Sequence, residues 1–289
     1  MKKSTRGKSS NRVKKDPDLI ELPPILPNAG VSAKYYSSIL SIVRSMKKDL
    51  KESIISQYKN RPPLVVKLID KAMAVDASPF QEMESLLDSL AKKWAAKFEQ
   101  MGIGPVEKFV KDGSGQVTKT LVNQLSAEKI AIEFKPTQQM KEQFRIAIAE
   151  NVALIKDIPE KDIEKIRQAI FNGYMRGNDL SYISEEIDKV LDLNEKRLKL
   201  IVQTQARQFT SIVNRINYMN LGIAQARWLH SSAGKEPRLD HVAANGAIYN
   251  IAEGCKISGE FIQPGELINC RCSGRPIVKR AVSKDSHNG

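Results

Sequence analysis

Apolar residues recur at steps of three and four from about Ser32 to Leu221, and a chain with that period over such a length is confined to helices packed on helices. Met83, Leu87, Leu90, Trp94 and Phe98 form one stripe. Its helix has a start signal, with Ser78 as the cap, Pro79 at the first helical position and Gln81 completing a capping box. Met140, Phe144, Ile148, Val152 and Ile155 form a second stripe. Ile163, Ile166, Ile170 and Tyr174 form a third, and Leu180, Ile183, Ile187 and Val190 a fourth, with Gly177-Asn178-Asp179 as the turn between these last two. The longest helix is expected from about Asn194 to Asn220, facing Leu198, Ile201, Phe209, Ile212, Ile216 and Met219 inward, and Gly222 ends it.

The pattern changes at residue 223. Short apolar runs, Gly, Pro and all three cysteines fill residues 223–278. Ala224 to Leu229 reads as a strand, and Ala247-Ile248-Tyr249 and Gly274 to Val278 are weaker strand candidates. Asn245-Gly246 is a turn signal. The expected fold is mainly α, an N-terminal helical region followed by a small α+β C-terminal module. Residues 1–17 read as a disordered basic tail, 18–156 as the helical region, 157–278 as the module and 279–289 as a polar tail. Leu22-Pro23-Pro24-Ile25-Leu26-Pro27 reads as an extended linker, since proline restricts its predecessor and donates no hydrogen bond.

The formal net charge is +13, and seven of the excess charges are Lys2, Lys3, Arg6, Lys8, Arg12, Lys14 and Lys15, with no acid before Asp16. Such a run suits an acidic partner, DNA first, bound through phosphate contacts without base readout. No aromatic residue interleaves the charges, so stacking on bases is not indicated. The alternative is a tail that only solubilises. The basic start is not followed by an apolar core, because Glu21 and Pro23-Pro24 interrupt it, so no secretory leader is expected. No run reaches about 18 consecutive apolar residues, and no membrane span is expected. Three cysteines do not make a disulfide framework, which fits a reducing cytoplasm.

His241, Cys255, Cys270 and Cys272 could supply four soft ligands to a structural zinc ion, a useful staple for a small loop-rich module. A Cys-x-Cys pair on a strand points both side chains one way. The other reading makes the cysteines small buried hydrophobes. Asp240-His241 could act as a general acid/base with Arg238 clamping a phosphate, or His241 could be a structural hydrogen-bonding residue. Trp228 reads as the anchor that seats its strand against the long helix. Arg271, between two cysteines, points away from them.

In order, the pieces are a long helix ending Asn220-Leu221-Gly222-Ile223, then Ala226-Arg227-Trp228-Leu229, Arg238-Leu239-Asp240-His241, Asn245-Gly246, Pro264-Gly265-Glu266 and Asn269-Cys270-Arg271-Cys272. Taken together, from about Asp157 to Val278, they resemble the phage Mu F-like head morphogenesis (minor head protein) family. The motif residues are Trp228, Arg238, Asp240, His241, Gly246, Asn269, Cys270, Arg271 and Cys272. The sequence departs from the family's pattern in three places. Arg238-x-x-His241 stands where many members have Cys-x-x-Cys, Glu266-Leu267-Ile268 where many have a His, and Thr204-Gln205 where Thr-Glu is frequent. The resemblance implies a minor capsid protein rather than an enzyme. Its expected partners are the portal protein, procapsid and scaffold proteins, and DNA, and its expected places are the host cytoplasm during assembly and then the virion head. Two rival readings are a nucleic-acid-processing enzyme using Asp240 and His241, and a free-standing DNA-binding module using the tail.

Overall fold

The computed structural model describes residues 18–62, 65–67, 73–75, 77–132, 134–135, 137–175, 180–232 and 236–280. The basic residues Lys2 to Lys15 and the expected Gly177-Asn178-Asp179 turn lie outside the described residues. Four long helices dominate: α1 (Ala29–Asn60), α2 (Ala77–Ala127), α3 (Gln138–Met175) and α4 (Leu180–Asn220). Around them lie strands β1 (Leu19–Glu21), β2 (Val65–Lys67), β3 (Met73–Val75), β4 (Gln225–Leu229), β5 (Ile248–Asn250), β6 (Cys255–Ile257), β7 (Glu260–Ile262) and β8 (Ser273–Lys279), and the short helix α5 (Leu239–Ala243). The expected class, a helical region followed by a small sheet-containing module, is the observed one.

Successive long helices run antiparallel, and α4 returns against α1 to close a bundle. Charge pairs record the register. Arg44, Lys47 and Lys51 on α1 meet Glu195, Asp192 and Asp188 on α4 at 3.0, 2.6 and 2.7 Å. On the other side of α1, Asp49 accepts from Lys93 Nζ and from the Trp94 indole N–H, both at 2.7 Å. Partial burial pushes the Asp49 carboxyl up, but these two hydrogen bonds outweigh it and hold it below the usual carboxylate range. Arg167 on α3 reaches Glu84 and Asp88 on α2. Inside, Ile39, Leu50, Ile54, Leu87, Ile166, Ile183 and Ile187 are fully buried, so the apolar stripes face one another as their period requires.

Local chemistry sets several ends. Asn28 caps α1 by accepting from Val31 N at 2.9 Å. Thr137 Oγ1 accepts from Met140 N at 3.2 Å and starts α3. Gly222, at φ 70°, ends α4 with Ile223 N bonded to Tyr218 O at 2.9 Å and Gly222 N to Met219 O at 3.0 Å, a Schellman closure at the glycine expected to stop the helix.

Several details correct the sequence reading. Helix α2 begins at Ala77, so Ser78 and Pro79 lie inside its first turn, where a missing N–H costs nothing. The second and third stripes share α3, which runs through Pro159, so the expected boundary at 156/157 falls inside a helix. The fourth stripe and the long helix are one element, because no Gly or Pro separates Val190 from Leu198. On α4, Met219 is exposed, and Val213 and Tyr218 take the inward places. Residues 65–67 and 73–75, inside the stretch read as helical, pair as a two-stranded antiparallel ribbon. Pro62 stops α1 just after its cap, and the β-branched Val65-Val66 favour the strand. Helix α2 also carries Pro105, whose penalty of about 3 kcal/mol is offset by burying Val106, Phe109 and Val110.

The second layer is a four-stranded antiparallel sheet, ordered β1-β8-β4-β5, with the hairpin of β6 and β7 beside it. The strand β1 comes from the start of the described chain. It pairs with β8 in the register Leu19↔Lys279, Ile20↔Val278 and Glu21↔Ile277. Glu21 takes a forked contact from Arg227 on β4, 2.8 Å from Nε and 2.7 Å from Nη2. Residues 22–27 remain extended, as expected, but they are packed down, with Leu22 and Ile25 buried. Asn214 Nδ2 on α4 donates to Ile25 O at 3.1 Å, and Gln124 Nε2 on α2 to Pro23 O at 3.3 Å. The bundle and the sheet share one continuous apolar core.

Candidate metal centre in the C-terminal module

The C-terminal half of α4 is the platform of the module. Gln208 Nε2 donates to Glu266 O at 2.6 Å, and Arg215 donates to Ala252 O. Trp228, on β4, is fully buried. Its ring meets His241 edge-on at 5.3 Å and Tyr249 at 6.2 Å between centroids. This tryptophan, expected to seat its strand against the long helix, meets rings of α5 and β5 inside the module instead.

Turn chemistry shapes the loops around it. The Asn245-Gly246 turn forms as expected. Gly246 sits at φ 89° with its N–H on Trp228 O at 2.9 Å, and Asn245 Oδ1 accepts from His230 N at 2.9 Å. Ser258 and Gly259, at φ 51° and 92°, make the two-residue turn joining β6 to β7. Asn269, at φ 61°, turns the chain so that Cys270 N reaches Leu267 O at 2.9 Å. Asparagine adopts this left-handed conformation more readily than most side chains. From there Cys270 is buried, Arg271 exposed and Cys272 buried, the alternation expected of this run.

Three of the four expected soft ligands converge. The Nδ1 of His241 lies 3.6 Å from the sulfur of Cys270 and 3.6 Å from that of Cys272. All three donor atoms fall within 4.8 Å of one another, and all three residues are buried. Cys255 does not join them. It starts β6, buried on its own, and burial pushes its thiol up. Strand β6 pairs with β7, and that hairpin holds Cys255 away from the strand entry that carries the Cys-x-Cys pair.

The two clustered thiols are hydrogen-bonded to each other and are pushed in opposite directions. A hydrogen bond from Cys272 holds the Cys270 thiol down at about 5, against the opposing push of burial, with the N–H groups of Cys272 and Gly265 and the His241 ring adding to the lowering. The same bond, together with burial, drives Cys272 strongly upward. Among the described residues, His241 Nε2 is buried without a hydrogen-bond partner, while the Trp228 indole N–H faces the Cys272 sulfur.

The acid/base pair imagined from Asp240-His241 does not form. Asp240 Oδ1 accepts from the backbone N–H of His241 at 2.8 Å, and Oδ2 from Ser258 Oγ at 2.9 Å. These contacts, the Ser258 bond foremost, hold the Asp240 carboxyl below its ordinary range. The imidazole instead faces the sulfurs. Arg238 donates from Nη2 to Ile268 O at 3.0 Å, tying the loop before α5 to the turn before Cys270. A feature the sequence reading missed is Arg207 on α4. Burial first, and then the like charge of Arg271, lowers its pKa, so two guanidinium groups stand close together beside the segment 24–27. No spacing signal in a helical stripe announces such a meeting.

Residues 164–275 match the family model described as Phage Mu protein F like protein, inside the stretch where the sequence carried the resemblance. A protein of Haemophilus influenzae, described only as uncharacterized, is 21% identical over 275 residues, which is 90% of this chain and 59% of that protein. The chain thus spans well under two thirds of that relative's length. No solved structure matches it. The matched segment ends α3, forms α4 and carries Trp228, His241 and the Cys270–Cys272 pair, so the site lies within the stretch that is similar to the Phage Mu F-like family.

Proposed function

We propose that this chain is a structural component of phage head assembly, a minor head protein that associates with the portal and the procapsid interior. The observation that carries the reading is the match of residues 164–275 to the Phage Mu F-like family. The remainder of the chain suits the role. The bundle offers long charged faces for a protein partner, and the basic residues 2–15 offer phosphate contacts to DNA. No helix of the described residues is long and apolar enough to cross a membrane. In this reading the protein acts by binding, in the host cytoplasm during assembly and then in the virion head, with portal, scaffold and DNA as its partners.

The test is co-purification of the full chain with portal rings and procapsids under assembly conditions. Association that survives DNase treatment supports the reading, and no association with either overturns it. Removal of residues 1–15 is expected to weaken DNA binding and flatten its salt dependence while leaving portal association in place. The rival free-standing DNA-binding module would show DNA binding lost with the tail and no affinity for the ring. The nucleic-acid-processing reading finds no support in the site, because His241 is buried against sulfur and Asp240 is engaged with Ser258 and the backbone.

A further inference from the structure

We propose that His241, Cys270 and Cys272 bind a zinc ion that ties α5 to the entry of β8. Three observations support this. The first is distance. Zinc bonds of about 2.3 Å to sulfur and about 2.05 Å to imidazole nitrogen, opened at the tetrahedral angle, place sulfur and nitrogen about 3.5 Å apart. Both sulfur–Nδ1 separations here are 3.6 Å, and all three donors lie within 4.8 Å of one another. That spacing suits two ligands of one ion.

The second observation is how the sulfurs are surrounded. The N–H groups of Gly265 and Cys272 face the Cys270 sulfur, and the Ser231 N–H faces the Cys272 sulfur. Backbone donors aimed at sulfur favour thiolates, and it is the thiolate that ligates metal. The third is the donor set. Two thiolates and an imidazole are soft to borderline ligands that prefer zinc to magnesium or calcium. The thiolates also balance the ion's two charges in a buried place. Without a metal, three polar groups would face one another in a buried place.

Position adds a reason for the ion. His241 comes from a helix of five residues, too short to be stable alone, and the cysteines come from a segment with no strand partner of its own. A bond through zinc would join two pieces of chain about thirty residues apart. Three protein donors leave one position on a tetrahedral ion to an exogenous ligand. Cys255 is not part of the set.

The test is made on the full chain purified under reducing conditions without added chelator. Elemental analysis should find about one zinc per chain. The stripped protein should take up Co²⁺ with thiolate-to-cobalt charge-transfer absorption and tetrahedral ligand-field bands. Cys270→Ser, Cys272→Ser and His241→Ala should each lose these bands, and His241→Cys should restore them. Cys255→Ser should keep both the bands and the zinc. Because a ligand variant could fail to fold, the wild-type chain provides a second measurement. Blocking its thiols with a mercurial should release zinc in proportion to cysteine modified. Less than about a tenth of an equivalent of zinc together with no cobalt spectrum in the wild-type chain overturns the proposal. So does loss of the spectrum in Cys255→Ser, or its retention in Cys272→Ser.

Discussion

The bundle and the C-terminal module are held together by different means. In the bundle, order comes from repetition. Each helix presents an apolar stripe, each stripe meets two neighbours, and exposed ion pairs such as Lys47–Asp192 only trim the register. Loss of one contact leaves many equivalents. In the module, order comes from single residues in single places. One tryptophan fills the core between α5 and β5, left-handed turns at Gly246, Gly254 and Asn269 aim the chain, and three soft donors meet at one point. Short strands cannot bury enough surface to make such positions redundant. The comparison teaches that sensitivity to substitution should be spread thinly in the first region and concentrated in the second.

The most severe way to break this contrast is Trp228→Ala. The side chain has no exposed surface, and its loss should cost about 3–5 kcal/mol, read as a lower midpoint in chemical denaturation. A cost below that of a single bundle leucine such as Leu50→Ala would erase the distinction. Next comes a pair of glycine substitutions with opposite signs. At Gly254, φ is 104° and an added Cβ would sit 2.9 Å from the Ile262 carbonyl oxygen, so Gly254→Ala should destabilise the module by about 1–3 kcal/mol. At Gly104, inside α2, an added Cβ meets nothing within 4 Å, so Gly104→Ala should stabilise the bundle by up to about 1 kcal/mol. Thermal melts of the two variants against the parent chain would show the sign. Least affected should be Lys47→Ala, which removes one rung of the α1–α4 ladder. A change below about 1 kcal/mol, shrinking further in high salt, is expected.

Much of the bundle was legible because helical period is a local property. Met83 to Phe98, Ile163 to Tyr174 and the stop at Gly222 appear where the spacing put them. The errors fell where a local signal was weak or was overruled. Pro159 lies within α3 and Pro105 within α2, because neighbouring helices supply the packing that a proline forfeits. Helix α2, which ends at Ala127, is closed just beyond by Lys129, φ 61°, with Ile130 N on Leu125 O at 2.9 Å, a left-handed closure made without the glycine that would have announced it. In the module, β4, β5, β8 and the Asn245-Gly246 turn were legible from alternation and turn chemistry, while β6, β7 and α5 were not read from the sequence.

The candidate site divides the same way. Residue types alone singled out His241, Cys255, Cys270 and Cys272 as soft donors, and the Cys-x-Cys spacing alone implied two side chains on one face. Which of the four meet depended on pairings between distant segments. The hairpin of β6 and β7 carries Cys255 away, and the short helix α5 brings His241 in, with its imidazole turned toward the sulfurs and not toward the adjacent Asp240. Likewise the sequence by itself determined the helices, their apolar faces, the basic start and the ordered motif by which the module is known. Only the tertiary structure decided that Leu19 to Glu21 would close the far sheet against β8, and that Arg207 would stand beside Arg271. Period and turn preference act within a few residues of chain. Strand partners and ligand sets are fixed by the shared core, which no short stretch of sequence contains.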